Sequence, residues 1–214
     1  MASSEKIGAV MVVGGGIGGI QAALDLAEAG FKVYLVESAP AIGGRMAQLD
    51  KTFPTNDCAI CILSPKLVEC GRHLNIEILA NAEVIGLRGE PGRFEVTVKE
   101  RPRYVDIEKC TGCGACAEAC VLEGRIPSEF DEGLGKRAAI YIFYPQATPR
   151  KAIVDPEACV YLTRGRCKQT CLEACQADAI DFEQTERERV IEVGAVILAP
   201  GYKLYDPSLS EEFG

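Results

Sequence analysis

The apolar and polar positions of the chain fall into three regimes. Ala9 to Val13 is a short apolar run and Gly14 to Gly19 a glycine turn; Gln21 to Ala29 then has helical periodicity up to Gly30, and Phe31 to Val36 is apolar again. That order predicts a strand, turn, helix, strand opening, a βαβ unit. Farther on, Glu83 to Leu87 and Phe94 to Val98 flank Gly89-Glu90-Pro91-Gly92 and predict a β-hairpin. Val190 to Leu198 predicts one more strand, closed by Ala199-Pro200-Gly201. Between these parts, roughly Arg103 to Gln184, lies a stretch of different composition that carries most of the cysteines.

The glycine turn has chemistry built in. Gly14-Gly15-Gly16-Ile17-Gly18-Gly19 satisfies G-x-G-x-x-G directly after a strand and at a helix start, and Glu37 closes the second strand. In that context Gly14 permits the tight turn, Gly16 lets a pyrophosphate approach the backbone, and Gly19 lets helix and strand pack closely. The helix N-terminus then faces the phosphate charge. Glu37 is expected to accept hydrogen bonds from an adenosine ribose and to disfavour a 2′-phosphate.

The middle stretch contains a repeat. Val105-Asp106-Ile107-Glu108-Lys109-Cys110 recurs as Val154-Asp155-Pro156-Glu157-Ala158-Cys159. Cys110, Cys113, Cys116 and Cys120 have the spacing C-x2-C-x2-C-x3-C, the bacterial ferredoxin run. The second run, Cys159, Cys167, Cys171 and Cys175, is spaced more widely, and Val160 to Arg166 is expected to form a loop within it. In two-cluster ferredoxins the fourth cysteine of each run serves the other cluster. On that logic Cys110, Cys113, Cys116 and Cys175 take one [4Fe-4S] cluster, and Cys120, Cys159, Cys167 and Cys171 take the second. Zinc also favours four thiolates, but the duplicated eight-cysteine pattern points to iron-sulfur clusters. Cys58 and Cys61 form a separate C-x2-C pair with three open readings: a redox dithiol, ligands to a further cluster, or semi-buried thiols at a loop-to-helix junction. Cys70 reads as a structural thiol.

Composition narrows the field. A hydrophobic share of 48% over 214 residues is enough for a real core, and a net charge of -8 leaves no basic surface for nucleic acid. No apolar run approaches a membrane span, so a soluble, cytoplasmic protein is expected. Eleven cysteines without an export signal point to metal or redox chemistry rather than to structural disulfides. Trp is absent and His73 is the single histidine, which leaves little material for imidazole-based zinc sites or His-activated nucleophiles. His73 reads as a surface residue.

Gly43-Gly44-Arg45 after the acidic strand end resembles flavoproteins with two dinucleotide-binding domains, where such an element wraps FAD. The likeness extends further. Thr52-Phe53-Pro54-Thr55-Asn56-Asp57-Cys58 running into Ser64-Pro65-Lys66, together with the Phe130 to Gln146 segment and the ferredoxin-like insert, resembles the A subunit of heterodisulfide reductase along essentially the whole chain. The resemblance implies an oxidoreductase subunit that relays electrons between FAD and iron-sulfur clusters. It implies as partners the other subunits of such a complex and an electron donor protein. The expected fold is α/β: a Rossmann-like FAD-binding domain in segments 1–103 and 185–214, interrupted at 104–184 by an α+β two-cluster ferredoxin-like module. Relatives continue beyond the returning strand, so a fragment or a split gene, with another chain supplying the remainder, is expected. Pro200 stands where such FAD domains usually have Thr. Two alternatives remain open: a flavin-free electron-transfer module, and a flavin-dependent disulfide reductase using Cys58 and Cys61.

Overall fold

The computed structural model describes residues 6–212. Strand β1 (Ala9–Val13), helix α1 (Ile17–Glu28) and strand β2 (Lys32–Glu37) form the expected βαβ unit, with the two strands parallel. A small hairpin, β3 (Lys51–Thr52) and β4 (Asp57–Cys58), leads into helix α2 (Ala59–Arg72) and strand β5 (Ile76–Ala80). Strands β6 (Ala82–Glu90) and β7 (Arg93–Glu100) form the predicted hairpin. The cysteine-rich region follows with α3 (Ala115–Glu118), the short pair β8 (Ile126–Pro127) and β9 (Lys136–Arg137), the pair β10 (Ile140–Ile142) and β11 (Ala152–Val154), and helices α4 (Val160–Arg164) and α5 (Thr170–Ala174). Strands β12 (Arg187–Val193) and β13 (Ala195–Leu198) return the chain to the first part.

Four strands make an all-parallel sheet in the order β13-β1-β2-β5, and β12-β7-β6 make a separate antiparallel sheet. Parallel strands are covered on both faces, and the side chains sort accordingly. Val12, Val33 and Leu35 point toward α1 and α2, whose buried residues Ile20, Ala23, Leu24, Leu63 and Leu67 recur at helical spacing. Met11 and Val36 point the other way, onto Val96, Val98, Ile191 and Val193 of the antiparallel sheet. The outcome is three layers, with the parallel sheet in the middle. No helix among the described residues is long and apolar enough to cross a membrane.

Two sequence expectations are corrected. Val190 to Leu198 is not one strand: it breaks at Gly194 into β12, which pairs with β7, and β13, which pairs with β1. A Cβ at residue 194 would collide with the Ile7 carbonyl, so glycine lets the chain step between sheets there. Val160 to Arg166 is not simply a loop, because its first five residues form α4, closed by Gly165 in the left-handed region (φ 63°).

The insert has its own core, in which Val105, Cys110, Cys116, Ile140, Val154, Cys159 and Ile180 are buried together. Val105 bridges Ile180 and Ile140 pairs with Val154, both antiparallel, so each copy of the repeat starts a strand that is answered from the other copy. The insert also packs outside itself. Tyr144 and Ala147 are buried in the core beneath α1 and α2, with Phe130 and Phe143 against them. The Phe130 and Tyr144 rings stack with centroids 4.7 Å apart. The Ile42 N–H donates to the Thr148 carbonyl (2.9 Å), and the Tyr144 hydroxyl donates to the Ile42 carbonyl. Because that hydroxyl is buried, Tyr144→Phe is expected to lower unfolding stability by about 1 to 2 kcal/mol. Urea denaturation should show a lower midpoint at unchanged slope.

Candidate functional site

The first candidate site is the cleft above α1. Gly14 (φ 108°) carries the turn, and a Cβ there would strike the Ala199 carbonyl of the returning segment. A Cβ at Gly19 would strike the Gly14 carbonyl, whereas one at Gly16 would meet nothing within 4 Å. The three glycines therefore divide the work as the motif requires: two for close packing, one open to a ligand. Gly43 and Gly44 lie over this turn. The Gly43 N–H donates to the Gly15 carbonyl (2.7 Å), and a Cβ at Gly44 would crowd the Gly16 Cα.

The cleft has a volume of about 1080 Å³ and is lined by Gly14, Gly16, Glu37, Gly44 and Arg45, with Pro200 of the returning segment. That is ample for a dinucleotide by the standard of small-molecule sites, roughly 300 to 1,000 Å³. Glu37 is already engaged: its Oε2 accepts from the Gly15 N–H (2.7 Å) and its Oε1 from the Ala39 N–H (2.7 Å). The carboxylate thus braces the glycine turn; Oε1 also accepts from the Ser38 hydroxyl (3.2 Å), and Oε2 keeps a second lone pair for a ribose hydroxyl. Arg45 forms an ion pair with Glu132 and donates to Gln48 (2.9 Å).

One wall of this cleft was not foreseen. Glu129, Phe130, Glu132 and Phe143 of the insert line it, and the Gln48 amide donates to the Phe130 carbonyl (2.8 Å). The only hint in the sequence is the distinctive Phe130 to Gln146 segment, whose role neither motif explains.

The second candidate site is the set of eight cysteines in the insert. Asp106 Oδ1 accepts from the N–H groups of Glu108 and Lys109, and Asp155 Oδ1 accepts from those of Glu157 and Ala158. Cys110 N–H donates to the Asp106 carbonyl and Cys159 N–H to the Asp155 carbonyl, both at 2.9 Å. The two repeats therefore deliver their first cysteine through the same side-chain-capped turn. Arg137 reaches Asp155 at 2.8 Å and also pairs with Glu129.

The thiols sort crosswise. Burial pushes the Cys116 thiol up to about 12, with further upward pressure from the charges of Cys110, Cys175 and Cys113. Burial pushes Cys171 up to about 11, and there the cysteine neighbours are Cys120, Cys159 and Cys167. The exchange has a backbone basis. The Thr170 hydroxyl at the start of α5 donates to the Ala119 carbonyl, which brings Cys120 beside Cys171. The Asp106 N–H donates to the Ala179 carbonyl (2.7 Å), and Ala179 N–H reaches the Cys175 sulfur (3.4 Å), which ties Cys175 to the first loop. Cys120, Cys159, Cys167 and Cys171 line one apolar cavity with Leu122, Ile140, Val154, Tyr161 and Phe182. Among the described residues, no three His, Cys, Asp or Glu side chains converge closely enough to hold a single metal ion.

Cations brace the first loop. Arg150 donates to the Gly112 carbonyl (2.7 Å), and the Lys151 ammonium bonds the Cys110 carbonyl. Arg103 is buried, bonds the Pro40 carbonyl beyond β2, and leaves its Nε without a partner. Burial pulls its pKa down to about 10, while Cys110 and Tyr141 act in the opposite direction.

The remaining cysteines divide. Cys58 and Cys61 form a disulfide at the start of α2, with Cα atoms 5.2 Å apart. Cys70 is a free, buried thiol pushed up to about 12 by burial and, secondarily, by Glu69. His73 caps the end of α2, its Nδ1 accepting from the Asn75 N–H (3.1 Å).

Comparison with known proteins reaches the nucleotide turn and the first cysteine run. The family of FAD dependent oxidoreductases matches residues 9–57, and the 4Fe-4S binding domain matches residues 103–120. The chain is 50% identical over 204 residues to the A subunit of the H(2):CoB-CoM heterodisulfide,ferredoxin reductase of Methanothermobacter marburgensis, an alignment of 95% of this chain and 30% of that protein. It is homologous to the A subunit of heterodisulfide reductase. An iron-sulfur A subunit of the CoB--CoM heterodisulfide reductase of Methanopyrus kandleri is 56% identical, and a heterodisulfide reductase A-subunit-like protein of Archaeoglobus profundus 48% identical, each over 95% of this chain. The homologue spans about 30% of the length of these relatives.

Two substitutions in the homologue probe the cleft in opposite directions. Gly14→Ala is expected to weaken FAD binding by about fivefold or more, since the new methyl must displace Ala199 at a cost of roughly 1 to 3 kcal/mol. Glu132→Gln frees Arg45 for a phosphate; the pair is exposed and worth at most about 1 kcal/mol, so binding should tighten by up to about fivefold. Flavin fluorescence titration measures both.

Proposed function

We propose that this chain is an FAD- and iron-sulfur-dependent electron-transfer subunit of a heterodisulfide reductase-type complex, relaying electrons between the flavin and two [4Fe-4S] clusters. The observation that carries this reading is the crosswise sorting of eight thiols into two sets of four beside a dinucleotide cleft. In it Cys110, Cys113, Cys116 and Cys175 hold one cluster, and Cys120, Cys159, Cys167 and Cys171 hold the other. Thiols that face one another without meeting at one point suit an inorganic core in which each iron takes one thiolate; a lone zinc needs four donors at about 2.3 Å.

Bound FAD supplies paired-electron chemistry and the clusters supply single-electron chemistry. The chain's own residues hold these groups in place. Gly14 and Gly19 shape the turn by close packing, Gly16 would admit the pyrophosphate at the α1 N-terminus, Glu37 would accept from the ribose, and Gly43, Gly44 and Arg45 lie over the turn. Leu122, Tyr161 and Phe182 exclude water from the second thiol set, while Arg150 and Lys151 fix the first loop. The other subunits of the complex, an electron donor protein and a separate chain completing the flavin site are the partners in this reading, in the cytoplasm.

Anaerobic purification followed by iron, sulfide and flavin analysis tests it. About eight iron and eight sulfide per chain are expected, with a broad brown absorbance and EPR signals after dithionite. Cys116→Ser and Cys171→Ser should each remove about half of the iron and leave the other cluster's signal. Negligible iron, or zinc in its place, would overturn the assignment.

A further inference from the structure

Arg103 is a cation buried where the nucleotide-binding part of the chain passes into the insert. The residue is only 4% exposed, both terminal nitrogens of its guanidinium donate to the one carbonyl of Pro40, and its Nε has no hydrogen-bond partner. Among the described residues no carboxylate pairs with it, whereas Arg45, Arg93, Arg137 and Arg189 each have one. A charge taken out of water is costly unless an opposite charge answers it. We propose that the Arg103 guanidinium is the internal counter-charge of the first cluster, stabilising its reduced state and holding it at a higher potential than the second. This inference rests on the cluster assignment given above.

The surroundings of Arg103 leave one candidate for the answering charge. The groups whose charges act on it are Cys110 and Tyr141. Tyr141 stays a neutral phenol, because burial and then its hydrogen bond to Glu129 push its hydroxyl well above the ordinary value. That leaves Cys110, a ligand of the first cluster in the proposed set. The backbone fixes the two together. The Arg103 carbonyl accepts the Val154 N–H (3.1 Å), and Val105, two residues on, bridges Ile180. Asp106, whose carbonyl holds the Cys110 N–H, is itself bonded to Ala179 beside that bridge.

The second thiol set has no counterpart. Cys120, Cys159, Cys167 and Cys171 line an apolar cavity, and the cations near them in sequence, Arg164, Arg166 and Lys168, are exposed. Of the other cations on the first loop, Arg150 is exposed and Lys151 half-buried. Water and salt screen exposed charges, while a desolvated charge acts through a low dielectric. Arg103 remains protonated at neutral pH, since burial pulls it down only to about 10. Reduction adds one electron, with no bond made or broken and no proton taken up; the electron comes from reduced flavin in the relay and from dithionite in the experiment below. The negative charge of the thiolate-bound core rises by one, so a fixed cation favours the reduced state, and net charge is among the determinants of cluster potential.

The test uses the protein purified anaerobically in its complex, with iron and sulfide measured first. Dithionite titration followed by EPR gives a midpoint potential for each cluster, and Cys116→Ser and Cys171→Ser identify the signals. In the parent the first cluster should be reduced before the second; the reverse order overturns the proposal, and this arm needs no change at Arg103. Arg103→Gln should shift the first cluster at least about tenfold toward its oxidised form at a given potential, about 59 mV for one electron, and leave the second where it was. Arg103→Lys, which keeps the charge, should retain most of the parent value, and Arg150→Gln, which removes an exposed charge, should move it less. An unmoved first cluster in Arg103→Gln, an equal shift of both clusters, or an equal shift in Arg103→Lys overturns the counter-charge. So does a variant that loses iron while its remaining clusters titrate as in the parent, which would make Arg103 a structural residue only. A parent without iron overturns the relay reading as well, whereas a parent with both clusters and no shift overturns this inference alone.

Discussion

The backbone of Ile42 is held on both polar groups by the cysteine-rich insert, its N–H by Thr148 and its carbonyl by the Tyr144 hydroxyl. The next two residues are Gly43 and Gly44, which lie on the dinucleotide turn. A buried backbone group left unpaired costs about as much as a lost hydrogen bond, so the insert and the nucleotide turn cannot separate without exposing or orphaning both bonds. The stacked Phe130–Tyr144 pair adds apolar burial to the same seam. Electron transfer between a flavin and a cluster needs a fixed separation, and this seam fixes the relation of the two candidate sites. The insert is therefore part of the flavin domain's core as well as a module of its own.

Electrostatics imposes a second constraint. Thiols gathered in an apolar core resist ionisation, as the raised values of Cys116 and Cys171 show, because burial and mutual repulsion act in the same direction. Only a bound cation or cluster lets such thiols ionise together. Arg150, Lys151 and the buried Arg103 crowd the first loop, bonding the carbonyls of Gly112, Cys110 and Pro40. In the proposed reading these cations would offset negative charge held by the first loop's thiolates.

The legible part of the molecule was the part written in short-range spacing. Gly14, Gly16 and Gly19 work within one turn, and Cys110 to Cys120 within one loop, so residue order alone gives the geometry. The repeat of Val105 to Cys110 in Val154 to Cys159 also survives intact, down to the aspartate-capped turn. Its other half was hidden. Ile140 and Ile180 are the matching strand residues, but the copies differ in length, so their offset departs from that of the leading segments. The break at Gly194 was masked by apolar residues on both sides, which suit either sheet equally well. The seam at Ile42 was illegible because Thr148 and Tyr144 have no local reason to pair with it; only the closed tertiary structure brings them there.

Exposure separates the redox groups by the kind of exchange each can support. Cys110, Cys116 and Cys159 are buried, Cys113 is exposed, and Tyr161 and Phe182 line the apolar cavity of Cys120, Cys159, Cys167 and Cys171. A dry, rigid thiolate cage changes little when one electron arrives, and solvent exposure is among the determinants of cluster potential. Breaking a disulfide is a different event, because it moves a proton and separates two sulfurs. It needs water or a proton donor within reach and a backbone that tolerates the change. The start of α2 offers solvent access, since Cys61 is exposed. The fold thus buries Cys110, Cys116 and Cys159, which in the proposed relay would exchange electrons alone, and leaves the Cys58–Cys61 pair, whose chemistry would require protons, at the exposed start of α2.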